Sequence, residues 1–168
     1  MSRNSFYLLF VFIGLTLLQA LVLNNILLFD RINPYIYIAF IFIYPFKKNR
    51  FSILSIAFLL GLCIDMFSDS GGVHAFATTF IAYSRPYFFR TIFQKTELDY
   101  EFFSLKQESF GKVFNFIVIL TFLHHFLLFS LLNFSFQNFF YVVSNTILSG
   151  IFTLFIYFLG SFILSRKQ

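Results

Sequence analysis

Long apolar runs broken by short polar clusters set the pattern of this chain. The first run, residues 6–29, exceeds the roughly 20 residues that a helix needs to span a bilayer. The sequence Asp30-Arg31-Ile32-Asn33-Pro34 then reads as a turn, with Asn33 suited to an N-cap and Pro34 to a first helical position. A second run covers 34–46 and ends in Lys47-Lys48-Asn49-Arg50. Further runs cover 51–67, 72–89, 113–132 and 139–164, with a polar turn at 133–138 between the last two. The pattern predicts six transmembrane helices in a single membrane domain, residues 1–168. Spans two to four are short. A helix over 34–46 would rise only about 20 Å against a hydrocarbon core of about 30 Å. These spans are expected to cross inside a compact bundle, with flanking side chains snorkelling to the interface. The first run is too long for the apolar region of a signal peptide and lacks a small-residue cleavage site, so a retained first helix is expected.

Between the fourth and fifth runs the pattern changes. The stretch Arg85–Lys112 mixes five basic and four acidic residues with aromatics. It is too charged to span and too aromatic for an idle linker. A cytoplasmic, partly helical segment lying on the membrane interface, residues 90–112, is expected there.

Composition agrees with a bilayer as solvent. Of the 168 residues 59% are hydrophobic and only 11% charged, against about 25% charged in soluble domains. The net charge of +5 does not form one basic face, which argues against nucleic acid. The charges instead sort by topology. With six spans, eleven of the twelve Lys and Arg residues fall on one side and only Arg31 on the other. The positive-inside rule makes that side cytoplasmic, with both termini inside. Thirty-one phenylalanines without a tryptophan read as the imprint of AT-rich codons. Tyr7, Tyr35, Tyr44, Tyr83, Tyr87 and Tyr141 are candidates for the interfacial places that Trp often takes. The single cysteine, Cys63, sits in an apolar run and reads as a small packing residue.

The candidate chemistry is concentrated in Gly61-Leu-Cys-Ile-Asp-Met-Phe-Ser-Asp-Ser-Gly-Gly-Val-His-Ala75, the outer hairpin between spans three and four. An ionisable residue in a span is a functional candidate by default, which singles out Asp65. Ser68, Asp69 and Ser70 can cap helix ends, and Gly71-Gly72 permits a reversal at positive φ. His74 is expected to hydrogen-bond across the hairpin. A carboxylate–histidine pair could also bind a metal or move a proton, but a zinc site needs three or four ligands. His124 and His125 lie mid-span in the fifth helix, about 100° apart, so only one is expected to face the interior, bonded to a polar residue such as Asn145 or Thr146. No Gly-x-Ser-x-Gly elbow, Walker loop or His-Glu-x-x-His sequence is present. Neither catalysis nor a cofactor or metal is expected. Small residues (Ala57 and Gly61 on span three; Ala75, Ala77, Thr78, Thr79 and Ala82 on span four) let helices approach closely. They serve internal packing or the docking of a partner helix.

With its Gly-Leu-x-x-Asp (Gly61, Leu62, Asp65), Gly-x-x-Ala (Gly72, Ala75) and Arg-Pro (Arg85, Pro86), the chain resembles the rod shape-determining protein MreD family over nearly its whole length. The resemblance implies a fold similar to the membrane substrate-binding subunit of energy-coupling factor transporters. It implies a non-catalytic scaffold of the cell-elongation complex in the bacterial inner membrane, maintaining cell shape and peptidoglycan synthesis. The partners implied are MreC, the glycosyltransferase RodA, a class B penicillin-binding protein and MreB at the cytoplasmic face, besides membrane lipid. On this reading Gly61, Asp65, Asp69, Gly72, His74 and Ala75 form a structural, partner-binding hairpin, and Arg85 and Arg90 make cytoplasmic basic contacts. The charged, aromatic stretch Arg85–Lys112 departs from the family pattern. The alternative is a small-molecule-binding subunit of a vitamin-type transporter.

Overall fold

The computed structural model describes residues 3–26, 32–46, 49–100, 103–133 and 139–165. Residues 30–31 of the predicted turn at 30–34, residues 134–138 of that at 133–138, and the charges of Arg31, Lys47, Lys48, Arg166 and Lys167 lie outside the described residues. Among the described residues the fold is all-α, built from α1 (Arg3–Leu17), a five-residue α2 (Ala39–Ile43), α3 (Phe51–Ser68), α4 (Val73–Phe93), α5 (Phe110–Leu132) and α6 (Phe139–Ser165). Four helical stretches are long and apolar enough to cross a membrane: Ser5–Asn25, Phe51–Ser68, Phe110–Leu132 and Phe139–Ile163. Their outward faces carry large bare side chains such as Phe10, Met66 and Phe140, as a hydrocarbon solvent permits. At 21 residues, α4 rises about 31 Å and is long enough too, but it carries His74, Thr78, Thr79 and Arg85 through the bundle. It continues through Pro86 beyond the predicted end at 89, and stops where Gln94 turns left-handed at φ 57°.

The continuous helix expected over 34–46 is corrected. Pro34 does not open a helix: the chain stays extended until a single 3-10 turn, Ile36–Ile38, and α2 follows for five residues. An apolar run of 10–14 residues more often makes a buried core segment than a membrane helix, and that is its place here. Tyr37, Ile38, Phe40, Ile41 and Phe42 are buried almost completely. The segment threads the middle of the bundle from Tyr35, beside α6, to Phe46, which packs on Phe89 of α4 and Phe116 of α5.

Irregular backbone away from water must find its hydrogen bonds inside the protein. Side chains of three surrounding helical stretches supply them. Gln19 Nε2 donates to the Pro34 carbonyl at 3.0 Å. The Tyr35 N–H donates to Thr153 Oγ1 of α6 at 2.9 Å. Arg85 of α4 donates to the carbonyls of Phe42, at 3.2 Å, and Tyr44, closing the C-terminal end of α2. The first span changes helix type beside this segment: after Leu17 it loosens into a π-helical turn, Leu18–Val22, that holds Gln19 fully buried, and a 3-10 turn then runs to Asn25.

The 90–112 stretch is partly helical, with 3-10 turns at Glu97–Asp99 and Leu105–Gln107. Tyr100 and Phe103 insert among Phe46, Phe89 and Phe93 and close that end of the bundle.

Candidate functional site

The α3–α4 hairpin is built on two residues four apart, and therefore on one face of α3. Gly61 has no Cβ because none would fit. An added Cβ would lie 2.4 Å from the Ala75 Cα and 2.5 Å from the His74 carbonyl oxygen. One turn on, Asp65 reaches the start of α4. Its Oδ1 accepts from the His74 N–H at 2.9 Å and from the Ser70 hydroxyl at 2.6 Å, and its Oδ2 accepts from the Ala75 N–H at 2.8 Å. The first N–H groups of a helix have no partner within it, and α4 opens on Gly72 at φ 95°, which has no side chain to cap them. Asp65 therefore does for α4, from the neighbouring helix, what an N-cap residue does locally. Thr78 adds a second tie, its hydroxyl 2.9 Å from the Ala57 carbonyl of α3.

Asp69 has another part. It ends α3 in the left-handed region at φ 49°, its N–H bonded to the Asp65 carbonyl, with the residue exposed at the tip. Gly61, Asp65, His74 and Ala75 are buried, while Gly72 is half-buried. On the small-residue stripe of α4, Ala75, Thr78 and Ala82 are buried and Thr79 is half-buried; Ala77 and, on α3, Ala57 are buried too, so most of these residues serve internal packing.

His74 does not bridge the hairpin through its ring. Its backbone N–H does so, and the ring points inward, where Nδ1 lies 2.8 Å from the Tyr37 hydroxyl. The same hydroxyl lies 2.9 Å from His124 Nε2. A phenol has one proton, so it donates to one imidazole and accepts from the other. Tyr37 thereby stitches α4 to α5 through the central segment.

His125 is equally buried, which corrects the expectation that only one of the pair faces inward. The Tyr35 ring packs against both imidazoles, with centroids 6.3 Å and 5.4 Å away. His125 Nδ1 lies 2.8 Å from the Thr121 carbonyl, which only accepts, so Nδ1 carries a proton. With the ring neutral, Nε2 accepts from the Thr153 hydroxyl at 3.0 Å. The histidine partners are thus Tyr37 and Thr153, not Asn145 or Thr146. Asn145 Nδ2, Thr146 Oγ1, Ser149 Oγ, Thr121 Oγ1 and His124 Nδ1 are buried without a hydrogen-bond partner among the described residues.

Arg85 and Arg90, both predicted as cytoplasmic contacts, part company. Arg85 is 2% exposed, its guanidinium 3.6 Å above the Phe46 ring, and its Nη2 is occupied by the two carbonyls at the end of α2. That burial removes it as an outward contact. Arg90 stays exposed but shares Glu97 with Arg50, which donates to the same carboxylate oxygen at 2.5 Å. The Arg50 hydrogen bond, helped by the charge of Arg90, holds the Glu97 carboxyl below its ordinary range.

Gln19, Tyr37 and Thr153 were missed as site residues in the sequence. A lone glutamine in an apolar run was a usable signal. Tyr35, expected at the interface, is buried beside His124, His125 and Phe129 instead. Nothing local marks the Tyr37 hydroxyl as a bridge.

The fold and site define an all-α, membrane-type helical bundle organised around a buried, largely non-α-helical segment. Compared with known proteins, the chain matches no family model, no curated protein and no solved structure.

Proposed function

We propose that this chain is a non-catalytic scaffold of the bacterial cytoplasmic membrane, crossing it six times with both termini inside. It would hold MreC, RodA and a class B penicillin-binding protein of the cell-elongation complex, with MreB on the cytoplasmic face. The observation that carries this reading is the Gly61–Asp65 lock. Of the MreD-like pattern, Gly61, Asp65 and Ala75 join α3 to α4: both Asp65 oxygens are occupied, and Gly61 is pressed against the α4 backbone. Such a hairpin gives a rigid platform rather than a reactive group. The order of elements supports six crossings, with the central segment as the second and α4 as the fourth.

The test is a mild-detergent pull-down of the tagged chain from its native membrane, with mass spectrometry of what co-purifies. MreC and the wall synthases are expected with the wild type. Asp65→Asn, which deprives a buried N–H of its acceptor at a cost of about 1–3 kcal/mol, should reduce that recovery while membrane insertion persists. The buried polar atoms of α5 and α6 without partners favour a second reading, a small-molecule-binding transporter subunit. Co-purification of an ATPase module with a coupling membrane subunit, and no wall synthase, would replace the first reading by the second.

A further inference from the structure

At the end of the bundle away from the Asp65 hairpin, cationic donors gather in excess of acceptors. Three guanidinium groups, Arg50, Arg85 and Arg90, face this region, and only Glu97 pairs with any of them among the described residues. Among the described residues, Lys95 pairs with Glu108, and Asp99 accepts from the Thr96 N–H and hydroxyl. Arg85 keeps its positive charge almost wholly buried, and its Nε has no hydrogen-bond partner. Tyr100, 6% exposed, has no acceptor for its hydroxyl proton among the described residues, while Arg90 lies close enough to donate to its oxygen. Burial, then the charge of Glu97, push the Tyr100 phenol above its ordinary value against the opposing charges of Arg50 and Arg90.

Arg85 and Tyr100 share one hollow. With Arg50, Tyr44 and Asn49, and with apolar side chains that include Phe46 and Ile53, they surround a space of about 10 Å³. That is room for one water-sized group, such as a single oxygen of a larger anion resting at the mouth. Among the described residues Arg85 has no carboxylate partner; the Phe42 and Tyr44 carbonyls solvate its Nη2, while its Nε and the Tyr100 O–H lack acceptors. An anionic oxygen would satisfy both. The location suits a headgroup. Arg85 lies twelve residues along α4 from Val73, about 18 Å, toward the end where Arg50 precedes α3 and aromatic rings gather, as they do at headgroup level.

We propose that Arg85 Nε, the Tyr100 hydroxyl and Arg50 form a binding site for a phosphate oxyanion, presented by an anionic phospholipid headgroup or by free phosphate. The site completes the charge balance of Arg85, whichever partners the hairpin serves.

The experiment measures thermal unfolding of the full, delipidated chain in mild detergent, titrated separately with phosphatidylglycerol, phosphatidylcholine and inorganic phosphate. A saturable rise in Tm with phosphatidylglycerol but not phosphatidylcholine identifies the lipid headgroup. The same rise with inorganic phosphate identifies the free ion. Tyr100→Phe and Arg50→Gln, each referred to its own unliganded Tm, should raise the apparent Kd about fivefold or more, the worth of one hydrogen bond. Equal shifts with both lipids and none with phosphate, no shift with any addition, or unchanged affinity in both variants would overturn the proposal.

Discussion

Gly61 and Asp65 show how little sequence is needed to fix a helical hairpin. One removes a side chain so that two backbones can touch; the other supplies, across the gap, the acceptor that the second helix lacks. The two are separable by mutation. Gly61→Ala places a methyl group 2.4 Å from the Ala75 Cα, where backbone must move, and such overpacking costs about 1–3 kcal/mol or more. Gly14 has nothing within 4 Å of its would-be Cβ. Gly14→Ala is therefore expected to be neutral, or to gain up to about 1 kcal/mol of helix propensity. Thermal unfolding of both variants in one detergent checks this, and equal Tm values would remove the close approach as the reason for the glycine.

The central segment explains why so many polar side chains sit inside an apolar bundle. A regular helix satisfies its own backbone, but the extended stretch, 3-10 turn and short α2 between Pro34 and Phe46 do not. Gln19, Thr153 and Arg85 make up the difference. A buried N–H without an acceptor costs about 1–3 kcal/mol, so Thr153→Val, nearly isosteric, should destabilise by that order. It removes both the acceptor for Tyr35 and the donor to His125. Thr146→Val is the control: its hydroxyl has no partner among the described residues, so its loss should leave Tm unchanged or slightly raised. If the two variants melt alike, the backbone of the segment is satisfied in some other way. The same reasoning moves Arg85 from an expected cytoplasmic contact to a capping group, because its guanidinium finds carbonyls sooner than water.

For the molecule as a whole, the proposed topology puts the Asp65 hairpin and the Glu97 turn on opposite faces of the membrane. In a Cys63→Ala background, single cysteines at Asp69 and at Leu98, both exposed, report the two sides. A membrane-impermeant maleimide should label Asp69→Cys in intact cells and Leu98→Cys only after permeabilisation. Labelling of both from one side would mean that α4 does not cross, and the six-pass arrangement would fall.

Runs of apolar residues long enough for a bilayer announce the four apolar spans, and the hairpin glycines and Asp65 were legible as a turn joining two helices. Those features are local: run length, backbone permissiveness and one out-of-place carboxyl are written in consecutive residues. The state of 34–46 was not legible, because a short apolar run has the same periodicity whether it spans a membrane or lies enclosed, and only its neighbours decide. For the same reason both His124 and His125 turn inward, toward a Tyr35 ring more than eighty residues away in the chain. Tertiary packing alone decided that Tyr37 would join two histidines, that Thr153 would serve Tyr35, and that Arg85 would be buried. Each of those roles belongs to a side chain whose partner is distant in sequence. Hydropathy registers what a residue avoids; which hydrogen bond it finds depends on what the fold brings beside it.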